Sequence, residues 1–113
     1  MTITPAAGLL EWMAFVKVAA LSALPPGTVT EVFIEGQPYA VCNVAGTVRA
    51  LNGVCIHRGG PLGQGQVQDG RLMCPFHLWE FDCATGEYAF DPTQRVETYD
   101  VRVEGDDILI EVG

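Results

Sequence analysis

The sequence predicts a single all-β domain with antiparallel strands, and three observations favour this fold class. Runs rich in β-branched and aromatic residues are separated by short breaks that contain glycine, which is typical of hairpins. The final apolar run alternates with a period of two residues, as a half-buried strand does. No helix of ordinary length is predicted, except a short one near residues 7–15. The length of 113 residues suits one domain.

The first group of predicted strands lies within residues 28–52 (TVTEVFIEGQPYAVCNVAGTVRALN). This segment contains three strand-forming runs, which are broken at Glu35-Gly36-Gln37 and at Ala45-Gly46. Each break is short and contains a glycine, so each is interpreted as a hairpin loop.

The second group lies at the C-terminus, where VETYDVRVE and ILIEV stand on either side of Gly105-Asp106-Asp107. In the last run, Ile108, Ile110 and Val112 fall on one face of the predicted strand. Leu109 and Glu111 fall on the other face, which is the alternation of a strand with one buried side.

The middle of the chain does not continue this pattern of strand-forming runs and short loops, because it is rich in glycine. Between Asn52 and Cys74 the chain places Gly53, Gly59, Gly60, Pro61, Gly63, Gly65 and Gly70. Glycine lets the backbone adopt positive φ and approach another group closely. We therefore expect this segment to wrap around a compact object rather than to form a floppy surface loop.

The charge balance is strongly acidic and argues against nucleic-acid binding. Six Lys and Arg stand against fourteen Asp and Glu, so the formal net charge is −8. A nucleic-acid binder normally has a basic stripe for phosphate contacts, and here the basic residues never cluster. The acidic surface would attract a partner with a basic docking patch, and it would equally well keep the protein soluble.

The N-terminal segment predicts neither a secretory signal nor a membrane span. It has no basic region before its apolar stretch, and Glu11 and Lys17 interrupt that stretch between residues 6 and 24. We therefore expect a cytoplasmic protein without membrane contact, in which cysteines serve as metal ligands or buried thiols rather than disulfides. Cys42 and Cys83 are interpreted as buried free thiols.

Both histidines of the chain stand beside cysteines, in the pattern C-x-H-x16-C-x2-H. The four residues are Cys55, His57, Cys74 and His77. Thiolate and imidazole together favour zinc, copper or iron over calcium or magnesium. Structural zinc pairs usually leave two to four residues between ligands, whereas Cys55 and His57 leave one. This gap suits a Cys and a His that bind different atoms of a larger cluster, and a zinc-stabilised interaction module stays as the alternative.

The two segments that carry this pattern resemble the cluster-binding loops of the Rieske ferredoxin family. They are CIHRGGPL at residues 55–62 and CPFHLWEF at residues 74–81. The resemblance extends over residues 15–112 and includes the FDCATGEY turn after the second loop. It implies a Rieske-type antiparallel, sandwich-like base with an inserted cluster-binding subdomain of two loops.

The resemblance also implies a cofactor and a ligand set. One Rieske-type 2Fe–2S cluster would have Cys55 and Cys74 on its inner iron and His57 and His77 on its outer iron. No iron position is left open for a substrate. The implied function is therefore one-electron transfer, and the chain is expected to be a carrier rather than an enzyme.

Four positions indicate a branch of the family. Rieske proteins of respiratory and photosynthetic complexes carry an extra Cys in each loop, where this chain has Gly60 and Phe76. They also carry Ser and Tyr hydroxyls where this chain has Trp79 and Phe81. The chain thus resembles the soluble ferredoxins that pass electrons from a flavin-dependent reductase to a terminal aromatic-ring-hydroxylating oxygenase. The alternative within the family is the small subunit of an assimilatory nitrite reductase.

The expected organisation is one Rieske domain over residues 1–113. Its base comprises residues 14–52 and 84–113, and its cluster-binding subdomain comprises residues 53–83. Residues 1–13 form an N-terminal extension whose role the sequence leaves open. We expect a monomer.

Overall fold

A computed structural model describes residues 15–76 and 78–112, so the N-terminal extension and His77 lie outside the described residues. The strands are β1 (Phe15–Ala20), β2 (Val29–Ile34), β3 (Gln37–Val44), β4 (Thr47–Asn52), β5 (Gln66–Gln68), β6 (Arg71–Met73), β7 (Glu80–Asp82), β8 (Glu87–Tyr88), β9 (Asp91–Arg95), β10 (Thr98–Tyr99), β11 (Val101–Glu104) and β12 (Asp107–Glu111). Two 3-10 helices in the described part span Leu21–Ala23 and Leu62–Gln64, and neither could cross a membrane. The all-β prediction is confirmed.

The strands form three sheets, in which every registered pair is antiparallel. The first sheet has the order β1-β12-β11, the second β10-β4-β3-β2 and the third β5-β6-β7-β8-β9. The second and third sheets are built largely from hairpins, since most neighbours in space are also neighbours in sequence. The first sheet instead joins the beginning of the described chain to its end.

Both hairpins predicted for residues 28–52 are present. Glu35 and Gly36 have φ values of 52° and 84°, and Ala45 and Gly46 have values of 52° and 99°. Two successive residues with positive φ give the twist that matches the right-handed twist of the flanking strands. The loops therefore hold β2, β3 and β4 in register from the Ile34↔Gln37 pair to the Val44↔Thr47 pair.

The second sheet is the central layer, and its strand β3 is buried on both faces. Tyr39 and Val41 pack towards the first sheet, where Ile108 and Ile110 belong to the same apolar clusters. Ala40 and Cys42 point to the opposite side and pack in a cluster with residues of the third sheet and the glycine-rich segment. This two-sided burial explains why YAVCNV is an almost continuous apolar run rather than an alternating one.

The short helix expected near residues 7–15 falls almost entirely outside the described residues. Only Phe15 is described, and it begins strand β1, which pairs with β12. The strand-forming run VETYDVRVE does not form one continuous strand, because it is divided at Asp100. Its first part, β10, pairs with β4 in the second sheet, and its second part, β11, pairs with β12 in the first sheet.

The third sheet lies within and beyond the glycine-rich segment. It begins at Gln66 and continues past residue 83 to Arg95. Asp82 and Gly86 close the β7–β8 connection, where the Gly86 N–H donates to the Asp82 carbonyl at 2.7 Å. The division into a base and a cluster-binding subdomain stays a prediction, but the two segments that contain the Cys–His pairs are connected by this sheet.

Candidate metal centre

The first Cys–His segment is a tight turn closed by backbone hydrogen bonds. The Cys55 N–H donates to the Gly60 carbonyl at 2.9 Å, and the Gly59 N–H donates to the Cys55 carbonyl at 2.8 Å. Val54 and Pro61 form an isolated antiparallel bridge at the base of the turn. His57 therefore lies near the tip of a loop whose backbone is fixed at both ends.

The second Cys–His segment is closed in a similar way. The Cys74 N–H donates to the Trp79 carbonyl at 2.7 Å, which joins the two ends of the turn. The Phe76 N–H donates to Sγ of Cys74 at 3.4 Å. Leu78 has a φ of 57°, which is a strained conformation for a non-glycine residue. A hydrogen bond to sulfur and a strained turn are both features found where a backbone surrounds a thiolate ligand.

The two thiols that the motif singles out are buried together. Cys55 is 2% exposed and Cys74 is fully buried, and both belong to one apolar cluster. Burial raises the pKa of Cys74 to about 11, the N–H of Phe76 opposes this, and the neighbouring Cys55 thiol raises it further. Two adjacent thiolates are therefore unfavourable here by themselves, and a bound cation would supply the missing stabilisation.

The close approach of the two loops depends on Gly60. A methyl group at this position would lie 2.7 Å from Sγ of Cys74 and 3.0 Å from the ring of Phe76. Gly60 and Phe76, the two positions compared in the sequence with the extra cysteines of respiratory Rieske proteins, are thus neighbours across the site. The absence of a side chain at Gly60 keeps open the space beside the Cys74 thiol.

Of the two histidines, only His57 is among the residues that the structure describes. His57 is half-buried, its Nδ1 atom is buried, and its ring lies parallel to the ring of Trp79. His77 lies outside the described residues, so its position is not part of the observed site. Among residues 15–76 and 78–112, no three Cys, His, Asp or Glu side chains are arranged to hold a single metal ion.

Two residues near the site were given too little weight by the sequence interpretation. Tyr88 was not singled out, although it pairs with Phe81 across the β7–β8 hairpin and stacks on Trp79 at 3.8 Å between ring centroids. Trp79 was noted in the sequence for its lack of a hydroxyl, and it also stacks on His57 at 4.2 Å between ring centroids. The TGE turn before Tyr88 was the available signal, because a tight turn after Phe81 brings these positions together.

Cys42 and Cys83 form a second pair, away from the loops. Both are buried and free, as expected, and they share a hydrogen bond. This hydrogen bond and burial raise the pKa of Cys42 above the ordinary value of a thiol. Cys42 is on β3 and Cys83 follows β7, so the pair lies where the second sheet packs against the third.

The donor set fits an iron–sulfur cluster. The features that suit such a group are two adjacent buried thiols, an imidazole with a buried Nδ1 and a glycine that leaves room beside sulfur. The profile of the Rieske [2Fe-2S] domain matches residues 14–100. The chain belongs to the Rieske family. It binds one Rieske-type 2Fe–2S cluster and is an electron carrier rather than an enzyme.

Individual relatives agree with this assignment. The chain is 31% identical over 99 residues to the ferredoxin component of a naphthalene 1,2-dioxygenase system from Pseudomonas aeruginosa, covering 87% of this chain and 95% of the relative. The structure superposes on the ferredoxin of carbazole 1,9a-dioxygenase from Nocardioides aromaticivorans with a TM-score of 0.80 at 31% identity, covering 88% and 99% of the two chains.

Two further structures bear on the alternatives. A chain from a complex of reduced oxygenase and oxidised ferredoxin in carbazole 1,9a-dioxygenase is similar at a TM-score of 0.80 and 29% identity, covering 87% of this chain and 93% of that one. A nitrite reductase small subunit from Mycobacterium tuberculosis has a TM-score of 0.79 but only 23% identity, over 88% of this chain and 95% of that one. The latter similarity shows a common fold alone.

Proposed function

We propose that this Rieske ferredoxin is the electron-carrying component of an aromatic-ring dioxygenase system. It accepts one electron from a flavin-dependent reductase and passes it to a terminal oxygenase. Cys55 and Cys74 bind one iron of the cluster, and His57 and His77 bind the other. The assignment of His77 rests on the motif spacing, because this residue lies outside the described part of the chain.

The observation that carries the ligand assignment is the convergence of the two loops. Cys55 and Cys74 are 19 positions apart in the sequence but lie in one buried cluster, with Gly60 leaving space beside the Cys74 sulfur. The mixed ligand set also suits an electron carrier. Two neutral imidazoles in place of two thiolates make the oxidised centre less negative, so one electron is added more easily.

The tip of the two loops is the proposed contact surface for the oxygenase. Ile56, Phe76 and Leu78 adjoin the proposed ligands and are 43%, 48% and 62% exposed. Exposed apolar side chains around a buried centre suit a partner that must exclude water from the path of the electron. The protein is proposed to act as a monomer in the cytoplasm, because free thiols such as Cys42 and Cys83 persist in that reducing compartment.

Purified protein, reconstituted with iron and sulfide, is expected to hold two irons and two sulfides and to be red-brown. Once reduced, it should be reoxidised rapidly by the oxygenase component of an aromatic-ring dioxygenase and slowly by a nitrite reductase catalytic subunit. Metal analysis and stopped-flow absorbance measure these two properties. One zinc and no sulfide would contradict the ligand assignment, and preferred transfer to the nitrite reductase would favour the alternative function.

Electron transfer from the reductase is expected to slow as ionic strength rises. The net charge of −8 would attract a basic docking patch, and salt screens this attraction over a Debye length of about 10 Å at 0.1 M. The rate of reduction should be followed at several salt concentrations with the cognate reductase. A rate that does not depend on salt would show that the acidic surface serves solubility rather than docking, while the carrier role would stand.

The midpoint potential is expected at the low end of the Rieske range of about −150 to +300 mV. Phe81 is fully buried in the same cluster as Cys55 and Cys74 and offers no hydroxyl to sulfur. Phe81→Tyr should raise the potential, by at most on the order of 100 mV, because a hydroxyl donor stabilises the more negative reduced centre. Phe81→Leu, which adds no donor, is the control in voltammetry. A wild-type value near +300 mV would contradict the proposed branch.

A further inference from the structure

Three aromatic rings are stacked beside the proposed centre. The rings of His57 and Trp79 have centroids 4.2 Å apart and planes within 8° of parallel. The rings of Trp79 and Tyr88 have centroids 3.8 Å apart and planes within 5°. Trp79 is therefore held between His57 on one face and Tyr88 on the other. Phe90 contacts Tyr88 edge-on at 5.8 Å and is 80% exposed, so it lies at the outer end of the group.

The backbone fixes both members that support His57. The Trp79 carbonyl accepts the Cys74 N–H at 2.7 Å, and the strained Leu78 before it turns the chain so that the indole returns towards the first loop. Tyr88 is held by its pairing with Phe81 across β7 and β8. Trp79 and Tyr88 also pack on the buried cluster that contains Cys55 and Cys74. The half-buried stack is thus anchored on the buried cluster and is not a chance contact of surface rings.

We propose that Trp79, backed by Tyr88, is a positioning residue that holds the His57 imidazole and lowers the potential of the centre. The inference rests on the proposed role of His57 as a ligand. A parallel ring with its centroid 4.2 Å away restricts rotation of the imidazole out of its plane, and the Nδ1 atom of that imidazole is buried. The stacking therefore restricts the His57 imidazole to one ring plane in the folded site.

Two effects of Trp79 act on the potential in the same direction. The face of an indole carries negative charge density, which interacts best with an electron-poor ring. A ligand imidazole is more electron-poor when the centre is oxidised, so the stack favours the oxidised state. Trp79 and Tyr88 also keep water from one face of His57, and water would favour the more negative reduced state. Removing the indole should therefore make the centre easier to reduce.

The test compares midpoint potentials of wild-type, Trp79→Leu and Trp79→Phe proteins, each with its iron and sulfide content measured. At the wild-type midpoint, Trp79→Leu is expected to raise the ratio of reduced to oxidised protein about two- to tenfold, in line with the strength of a stacked aromatic pair. Trp79→Phe, which keeps a ring over His57, should stay within about twofold. The EPR signal of reduced Trp79→Leu should be broader, because the imidazole plane is less uniformly held.

The controls separate this inference from a general loss of packing. Phe90→Leu removes an exposed ring that does not contact His57 and should leave the potential and the EPR signal unchanged. If Trp79→Leu loses its cluster, Tyr88→Leu tests the inference instead. This variant should also raise the ratio of reduced to oxidised protein, by a smaller factor. If a leucine variant keeps its iron and sulfide but its ratio of reduced to oxidised protein is unchanged or lower, the inference about Trp79 is overturned while the ligand assignment stands. Wild-type protein without iron and sulfide would overturn it together with the ligand assignment.

Discussion

Replacing Cys55 or Cys74 by alanine is expected to remove the cluster and the ordered structure of residues 53–83 together. Both thiols are buried in one apolar cluster that also contains Leu62, Leu72 and Phe81. The large apolar side chains next to the proposed ligands, Ile56, Phe76 and Leu78, are exposed and do not anchor the loop tips, so metal-binding energy is also folding energy in this region. Iron content should fall from two per chain to nearly zero, and the amide NMR signals of the loops should collapse towards random-coil positions.

Cys42 provides the matched control for this experiment. It is as deeply buried as Cys74 and belongs to the same apolar cluster, but it lies on β3 and is hydrogen-bonded to Cys83 rather than placed in a loop. Cys42→Ala should cost about 1 kcal/mol of unfolding free energy and leave the iron content unchanged. Full iron content in the Cys55 variant, or an equal loss in the Cys42 variant, would show that the thiols outside the motif had been wrongly excluded.

Gly60→Ala is expected to prevent cluster assembly, although it changes no ligand. The added methyl group would lie 2.7 Å from Sγ of Cys74, which is closer than these atoms can approach, and in a tight contact of 3.0 Å with the Phe76 ring. Cys74 or the whole second loop must move, at a cost of about 1–3 kcal/mol in unfolding free energy. Because a cluster requires its ligands within a few tenths of an ångström, this movement should reduce iron content strongly.

The neighbouring glycine separates crowding of the site from strain in the turn. Gly59 has a φ of 71°, and a methyl group there would meet no atom within 4 Å. Gly59→Ala should therefore cost about 1–2 kcal/mol through its backbone conformation alone, while iron content is retained. Chemical denaturation and iron analysis of both variants provide the comparison. Equal iron content in the two proteins would show that the space beside Cys74 is not needed for the cluster.

The hairpins and the ligand motif were readable from the sequence because their signals are local. A Gly at the second position of a two-residue loop, as at Gly36 and Gly46, specifies the turn and with it the register of the flanking strands. The alternation in the last strand likewise identified Ile108 and Ile110 as core residues, and both are fully buried. The C-x-H-x16-C-x2-H spacing indicated a metal centre without any knowledge of the fold.

Strands that form because of a partner far away in the chain could not be predicted from such local signals. β1 is a strand because β12 pairs with it, and the two are about 90 residues apart in the chain. The short strands β5 to β8 have only two or three residues each, too few to show a period. The division of VETYDVRVE at Asp100 follows from the two sheets that its halves join, and no residue in the run marks that break.

By itself, the sequence determined the fold class, the two hairpins, the residue types around the cluster and the family to which the chain belongs. Only the tertiary structure showed that Gly60 lies against the Cys74 sulfur and that Trp79 is held between His57 and Tyr88. The physical reason is range. Turn chemistry and ligand spacing act within a few residues, whereas close packing between side chains on separate loops depends on how three sheets are assembled around one core.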